Sequence, residues 1–458
     1  MRYIEKYISF IRNNPRRALT TLLFVAFVAR FAFILMMQPD GYYFSDTRHY
    51  DNAATSILAG EGFGEKYSRS PLYPVFMALV YAVLGHSFTA MRIVEALLGV
   101  FLVWLVFQIA KKLFGETAAW ASAVLAAVFP HFILLTGILY ATNLFTVLLA
   151  ASIYLLIIAD EKMSYVWLAA SSACAALAAL TFPAFFFILP FWLLWLLFRR
   201  HATVLHNVST ALFFSMVFIA FLTPWTVRNY IKYDRFTLVR PVPHTAFPNL
   251  DDLDAQKARI ESGFKDTTKY LQENPNGTSK DNLGSIIGNY LRHPVHSVKY
   301  MANEMIHFWA LYPDRLDTKS EEYLQNIRAK DNRIVSLEST MWKVAQIMSV
   351  LVMLPVFLFA VVGLVFSRSL ERRRLLLVLT AAALSIGYSL IYAEVRYRIP
   401  IEPYVLMFMS MGLIRVYKLY HALGAKPAIN QDLLRLETST PSVQVSYRQA
   451  VAPTEPCE

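Results

Sequence analysis

Between Tyr42 and Asp51 the chain reads Tyr42-Tyr43-Phe44-Ser45-Asp46-Thr47-Arg48-His49-Tyr50-Asp51, just beyond the first membrane-length apolar run. From Ser45 to Leu58 the pattern suits a helix with Ser45 or Asp46 as N-cap. On that helix Asp46, His49 and Tyr50 fall at i, i+3 and i+4 and share a face. A carboxylate beside an imidazole at a bilayer surface can act as a general base toward an acceptor, or as part of an incomplete metal site. Asp46 would serve equally well as a plain helix cap. Farther on, Gly60-Glu61-Gly62-Phe63 permits tight turns, and Arg69-Ser70-Pro71-Leu72-Tyr73-Pro74 opens a further helix by presetting its first turn. Arg69 precedes that helix at headgroup level. It can grip a phosphate with two hydrogen bonds, or simply anchor the interface.

The elements that must hold these groups are membrane helices. Hydrophobic residues make up 56% of the 458 positions and charged residues only 16%, where a soluble domain carries about a quarter. The net charge of +11 would suggest nucleic acid only if it formed a patch. Instead the basic residues sit at the ends of apolar runs: Arg12, Arg16, Arg17, Lys111-Lys112, Arg199-Arg200 and Arg372-Arg373-Arg374. That is the positive-inside pattern of cytoplasmic loops, and it excludes nucleic acid as the partner. Cys174 lies in an apolar run and Cys457 is next to last, so neither a disulfide between them nor a cysteine metal site is indicated. The first apolar run is membrane-length with no small-residue cleavage site after it, and reads as a retained span rather than a leader.

Spans are predicted near 18–37, 88–110, 117–136, 138–159, 164–182, 183–198, 205–224, 343–366, 374–393 and 400–417, with Pro130 and Pro183 at kinks or boundaries. The run 71–85 is too short to cross and fits an interfacial or re-entrant helix. The fold class is therefore an all-α polytopic membrane protein of about ten transmembrane helices, both termini cytoplasmic. Residues 1–224 form an N-terminal membrane module whose first outer loop is 38–87. Residues 225–342 form an outer-face region, 343–420 the C-terminal membrane helices, and 421–458 a polar, disordered cytoplasmic tail. Within the outer region, 286–312 is amphipathic, with Tyr290, Val295, Val298, Met301, Met305, Phe308 and Trp309 as its apolar positions, and suits packing on the membrane surface.

This topology puts Arg228 (in Thr223-Pro224-Trp225-Thr226-Val227-Arg228-Asn229-Tyr230) and Arg396 and Arg398 (in Tyr392 to Tyr404) on the outer side, against the positive-inside bias. Three exceptions on one face suggest an anionic ligand; pairing with Glu394, Glu402 or lipid headgroups is the plainer reading. Arg92 and Glu95, at i and i+3, suit a pair with each other. Arg30, inside the first span, suits a functional group, a snorkelling side chain or an internal pair. His131, His244, His293, His296 and His307 lack metal-ligand spacing, and Asn276-Gly277-Thr278 matches a glycosylation acceptor.

Five features in order carry a family resemblance: the long first span; the loop with Asp46, Tyr50 and Gly60-Glu61-Gly62-Phe63; Ser70-Pro71-Leu72-Tyr73-Pro74; Pro224-Trp225 to Arg228-Asn229-Tyr230; and Arg396-Tyr397-Arg398-Ile399-Pro400-Ile401 with Pro403. Together, over about 18–417, they resemble the GT-C class of integral-membrane glycosyltransferases, nearest to the protein O-mannosyltransferases and the aminoarabinose lipid A transferase. The resemblance implies transfer of a sugar from a polyprenyl-phosphate carrier to a lipid, glycan or protein acceptor on the outer face. It casts Asp46 as general base or metal ligand, leaving a divalent cation open as cofactor. It casts Arg69, Arg228, Arg396 and Arg398 on the carrier phosphate, and Tyr42, Tyr43, His49, Tyr50 and Tyr73 as sugar or acceptor contacts. Two departures stand out. Many relatives carry a Glu where this chain has Thr142-Asn143, and Leu-Thr-Arg-Pro where it has Leu180-Thr181-Phe182-Pro183. These keep a non-catalytic subunit of the same fold in view, and a lipid-linked sugar flippase or other transporter stands as a separate alternative. The absence of an internal repeat counts mildly against a transporter.

Overall fold

A computed structural model describes residues 13–43, 45–63, 69–198, 203–233, 236–239, 288, 290–312, 339–367 and 371–424. The tail after 424, all of 240–287 with His244 and the Asn276-Gly277-Thr278 acceptor, and the segment 313–338 lie outside the described residues. Among the described residues the chain is helical, without strands.

Each apolar run becomes a helix close to where hydropathy places it. In chain order these are α1 (Pro15–Leu35), α2 (Ser45–Leu58), α3 (Leu72–Leu84), α4 (Phe88–Phe114), α5 (Glu116–Val128), α6 (Pro130–Gly137), α7 (Ala141–Lys162) and α8 (Tyr165–Thr181). There follow α9 (Phe185–Leu197), α10 (Val204–Tyr233), α11 (Pro294–Phe308), α12 (Ser339–Val365) and α13 (Arg372–Ser389). The short α14 (Val395–Arg398) continues through a 3-10 turn into α15 (Glu402–Gly424). Among the described residues six segments are long and apolar enough to cross by themselves, or seven if the bent α5–α6 pair is one span. Length and composition thus do not confirm the count of ten. α8 and α9 have 17 and 13 residues, about 25 and 20 Å at 1.5 Å per residue, and α13 opens on three arginines. The α3 helix has 13 residues, again about 20 Å, in keeping with an interfacial element.

Local chemistry sets the breaks. Pro130 has no N–H to continue α5, so the run bends by 44° and restarts with proline in its first turn. Ser87 caps α4 by accepting from the Ala90 N–H at 3.3 Å. The bundle packs α7 on α8, α4 on α5 and α7, α9 on α13, and α12 on α15. Between α12 and α15 the backbones approach so closely that a Cβ on Gly363 would meet the Phe408 carbonyl oxygen, and one on Gly412 that of Phe359, each at 1.9 Å. Small residues permit such contact where lipid offers no hydrophobic drive between helices.

Buried charges tie the break together. Arg30 is fully buried and donates to the carbonyls of Ala26, Ala127 and Ala126 at 2.9, 3.0 and 3.3 Å. It neither snorkels nor forms an ion pair: the α5–α6 break exposes carbonyls that need donors. Arg92 does not pair with Glu95. It donates to the carbonyls of Gly137, Gln38, Pro39 and Gly41 at 2.8–2.9 Å. At the far end of α4, Lys112 pairs with Glu161 at 2.5 Å, and Arg372 and Arg373 pair with Asp160 at 2.7 and 3.0 Å. Lys112, Arg372 and Arg373 therefore gather at the end of the bundle opposite Asp46.

The α11 helix docks on the end of α13 and the loop after it. The Glu304 carboxylate accepts from the Ala393 N–H at 2.8 Å, Tyr290 and Tyr300 donate to the carbonyls of Leu390 and Ile391, and Phe308 stacks on Tyr388 at 6.0 Å. Its buried positions are Ser297, Glu304 and Phe308, while Val295, Val298 and Ile306 stay exposed. Of the apolar positions read from the sequence, Phe308 is buried and Tyr290, Met301, Met305 and Trp309 are half-buried, while Val295 and Val298 stay exposed; the loop at 390–393 adds backbone groups that polar side chains satisfy.

Candidate active site

Asp46 sits in the first turn of α2, where the free N–H groups and helix dipole favour a carboxylate. Both its oxygens face Arg69: Nη1 donates to Oδ2 at 2.9 Å and Nη2 meets Oδ1 at 2.8 Å. This bidentate pair joins the two residues that the sequence reading assigned to separate tasks. Both remain partly open to solvent. The Arg69 guanidinium also lies 5.9 Å from the centre of the Tyr50 ring, one helical turn after Asp46.

A third chain segment closes on the same place. Arg396, in α14, lies over the rings of Tyr140 and Tyr397 at 5.7 and 5.0 Å, and Asp46 is within electrostatic range of all three. Arg396 is held by Glu394: Nε lies 2.7 Å from Oε2 as an ion pair without hydrogen-bond alignment, while Nη2 donates to Oε1 at 3.3 Å. Nη2 also donates to the Tyr397 hydroxyl oxygen at 3.2 Å. The site thus pairs one carboxylate with Arg69 and sets it within electrostatic range of Arg396, Tyr140 and Tyr397, with Tyr50 under the Arg69 guanidinium. Tyr140 was not singled out from the sequence, where an aromatic between two apolar runs reads as a belt residue.

Tyr140 is delivered by a strained turn. Leu139, between α6 and α7, has φ of 48°, a left-handed conformation costly for a residue with a branched side chain. Thr47, next to Asp46 and buried, donates to the carbonyls of Ile138 and Leu139 at 3.0 and 3.2 Å. Arg92 holds the preceding Gly137 carbonyl at 2.9 Å. The helix bearing Asp46 is therefore fastened to the turn bearing Tyr140.

The other expected site residues fall elsewhere. Arg228 lies over Phe63 and Trp225 at 5.4 and 4.6 Å and donates to Asn229 Oδ1 at 3.1 Å, so it reaches the Gly62-Phe63 turn of the first loop. Arg398 is fully buried. It donates to Glu402 and to the carbonyls of Phe308 and Ala310 at 3.1, 3.0 and 2.7 Å, tying α11 to the last span. Glu402 in turn meets His131 at 2.8 Å. Tyr42 and Tyr73 are buried with their hydroxyls donated to Asp51 and Glu95 at 2.8 and 2.7 Å, which leaves neither ring open for stacking. Burial and Glu95 push the Tyr73 hydroxyl well above its ordinary pKa. The Tyr43 hydroxyl accepts from the Gln38 N–H at 2.8 Å, and its ring lies under Arg92 at 5.6 Å. His49 is at the exposed edge of α2. Its pKa is lowered by desolvation first and by Arg69 second, with Asp46 opposing.

The two departures from the family pattern have definite surroundings. Asn143 donates from Nδ2 to Glu95 at 2.5 Å, so an amide on α7 holds a buried carboxylate of α4. Phe182 lies 6.1 Å from Tyr397, which stacks on Tyr388 at 4.5 Å; aromatic packing fills the position where an arginine is expected. Among the described residues no three His, Cys, Asp or Glu side chains gather as a cation site. A cation at Asp46 would have to displace Arg69 from both oxygens.

Residues 68–227 match the sequence profile of the family described as dolichyl-phosphate-mannose-protein mannosyltransferase. No curated protein matches the chain by sequence. Among solved structures, the chain is similar to the Archaeoglobus fulgidus oligosaccharyltransferase tethered with an acceptor peptide containing the NVT sequon, at 14% identity and TM-score 0.56, covering 94% of this chain and 53% of that one. It is also similar to ArnT from Cupriavidus metallidurans bound to undecaprenyl phosphate, at 13% identity and TM-score 0.53, covering 86% of this chain and 60% of that one. The chain thus spans a little over half the length of these proteins, and the likeness is one of fold. About a third of the chain, in its N-terminal half, thus carries the sequence pattern of the dolichyl-phosphate-mannose-protein mannosyltransferase family, on a fold similar to that of these two membrane proteins.

Proposed function

We propose that this chain is a membrane glycosyltransferase that moves a sugar from a polyprenyl-phosphate carrier to an acceptor on the outer face of the cell membrane. The observation that carries the reading is the bidentate pairing of Asp46 with Arg69 at one end of the bundle, with Arg396 of α14 within electrostatic range. Lys112, Arg372 and Arg373 lie at the other end, which by the positive-inside bias is the cytoplasmic one. The matched family profile and the GT-C fold support the same class.

In the proposed reaction an acceptor hydroxyl or amine attacks the anomeric carbon of the sugar. The new bond forms as the bond from that carbon to the phosphate oxygen breaks, and the electron pair leaves on the phosphate. The acceptor proton passes to the Asp46 carboxylate, and the anomeric centre inverts. Phosphate is a good leaving group, so no strong acid is required. Arg69 and Arg396 would stabilise the charge developing on it, preorganised beside a low-dielectric wall of aromatic rings. Arg228, at the Phe63 turn, would hold the carrier farther along. Arg398 is bound by carbonyls and Glu402, and serves this reading as the tie that fixes α14.

The test is purified protein in vesicles with a radiolabelled polyprenyl-phosphate sugar and a mixed acceptor fraction. Labelled product that disappears with Asp46→Asn supports the reading. Translocation of the carrier without product would replace it with a flippase, and neither activity would leave a subunit without catalysis.

A further inference from the structure

In the resting site the carboxylate proposed as base and the arginine proposed for phosphate are spent on each other. Both Asp46 oxygens are bridged by one guanidinium, at 2.8 and 2.9 Å. A carboxylate so held is poorly placed to accept a proton, because its lone pairs point at cationic N–H groups. The same planar fork matches a phosphate equally well. Arg69 therefore has two anionic partners that compete for one face, and cannot serve both by the same pair of N–H groups.

The surroundings make an exchange feasible. Arg69 and Asp46 retain 28% and 17% side-chain exposure, so neither is locked by full burial, and partly exposed pairs of this kind are worth little enough to be displaced. The guanidinium also lies over Tyr50, a contact that it can keep while its N–H groups change partner. Arg396 is already engaged by Glu394 and Tyr397, and can balance the Asp46 charge electrostatically when Arg69 departs. By contrast Arg398, with its donors on fixed carbonyls, has no comparable freedom.

We propose that Arg69 is an exchange residue: the phosphate of a polyprenyl-phosphate lipid takes Arg69 from Asp46, and only then is the Asp46 carboxylate open to an acceptor. The chain would accordingly bind carrier before acceptor, and idle proton abstraction without carrier would be suppressed. The inference rests on the reading of Asp46 and Arg69 given above and adds the order of events at that site.

The experiment is the affinity of the detergent-solubilised full chain for a short-chain polyprenyl phosphate without sugar, compared across variants. Asp46→Asn removes the competing charge and is expected to bind this probe about fivefold more tightly, the worth of a well-formed, partly exposed ion pair. Asp46→Ala is expected to shift in the same direction, so poor folding of one variant does not remove the test. In an Arg69→Gln background, Asp46→Asn is expected to change the affinity little, because the contested group is gone. Unchanged or weaker binding by both Asp46 variants overturns the exchange, as does an equal tightening with and without Arg69. Lost transfer with unchanged probe affinity would overturn the exchange while the base assignment stood. Tightened binding with transfer retained would support the exchange and remove Asp46 from the chemistry.

Discussion

Two carboxylates five positions apart on α2 meet opposite fates. Asp51 is 4% exposed and accepts from the Tyr42 hydroxyl at 2.8 Å, the Tyr81 hydroxyl at 3.0 Å and His86 Nε2 at 2.8 Å. Its donors come from the loop before α2, from α3 and from the turn before α4, so it sutures three segments. In keeping with this burial beside a carboxylate, the Tyr81 hydroxyl is pushed above its ordinary pKa. Asp46 instead forms a bidentate pair with Arg69 and stays partly open. A carboxylate surrounded by directed donors holds structure; one balanced by a displaceable charge at the rim is available for chemistry. The same helix carries both, and about 140° around its axis separates the tasks.

The sharpest way to break this contrast is to remove each charge in turn. Asp46→Asn is expected to lower sugar transfer by about a hundredfold or more, as loss of a general base does, while thermal unfolding moves by less than about 1 kcal/mol. Transfer measured beside a melting curve in the same detergent checks it; a large stability loss with residual activity would make Asp46 the structural residue. Asp51→Ala should invert the result. It strands two buried hydroxyls, at a cost of about 2–4 kcal/mol, and activity should fall only as far as folded protein does. A variant that melts normally yet fails to transfer sugar would move Asp51 into the site.

Thr47 tests whether the two faces are coupled. Its hydroxyl fastens α2 to the Leu139 turn, so Thr47→Val should cost about 1 kcal/mol of stability and about tenfold in turnover from misplacement of the reacting groups. Thr47→Ser should restore both. If Thr47→Val lost stability but kept its turnover, the Leu139 turn would belong with Asp51 as scaffold.

Hydropathy alone located nearly every helix, because the period and length of an apolar run are properties of the chain itself. The number of spans is less legible, since α8 and α9 are apolar but short and reach their places by packing on α7 and α13. Asp46 and Arg69 were legible as residue types at the right end of the bundle. Their pairing was not, because 23 positions and the Gly60-Gly62 turns lie between them. Arg30 and Arg92 were misread for a related reason: their partners are carbonyls freed by the Pro130 break and the 38–41 loop, which no side-chain pattern records. Asp51 was passed over because a helical-face argument from Asp46 looks along i, i+3 and i+4, whereas its donors at 42, 81 and 86 belong to other elements. Asn143 is intelligible only beside Glu95, 48 positions earlier.

The finest probe of the Asp46 side is His49, one turn along α2. Its imidazole is held below its ordinary pKa, first by desolvation and then by the Arg69 charge, with the Asp46 carboxylate pulling the other way. Folded protein therefore binds this proton less readily than unfolded protein. Stability contributed by the neutral ring is present above the unfolded pKa of about 6.5 and is lost as pH falls from there through the lower folded value. Selective isotope labelling of histidine and a titration followed by NMR should place the His49 midpoint below that of a free imidazole. Asp46→Asn should lower it further, because the favourable carboxylate is gone while Arg69 remains. Arg69→Gln should raise it. If carrier phosphate draws Arg69 away from Asp46, saturating polyprenyl phosphate should also raise it, since the cation is then neutralised by a second anion. A midpoint that ignores both substitutions would mean that His49 turns away from the pair, and that the Asp46 face of α2 is narrower than the helix geometry implies.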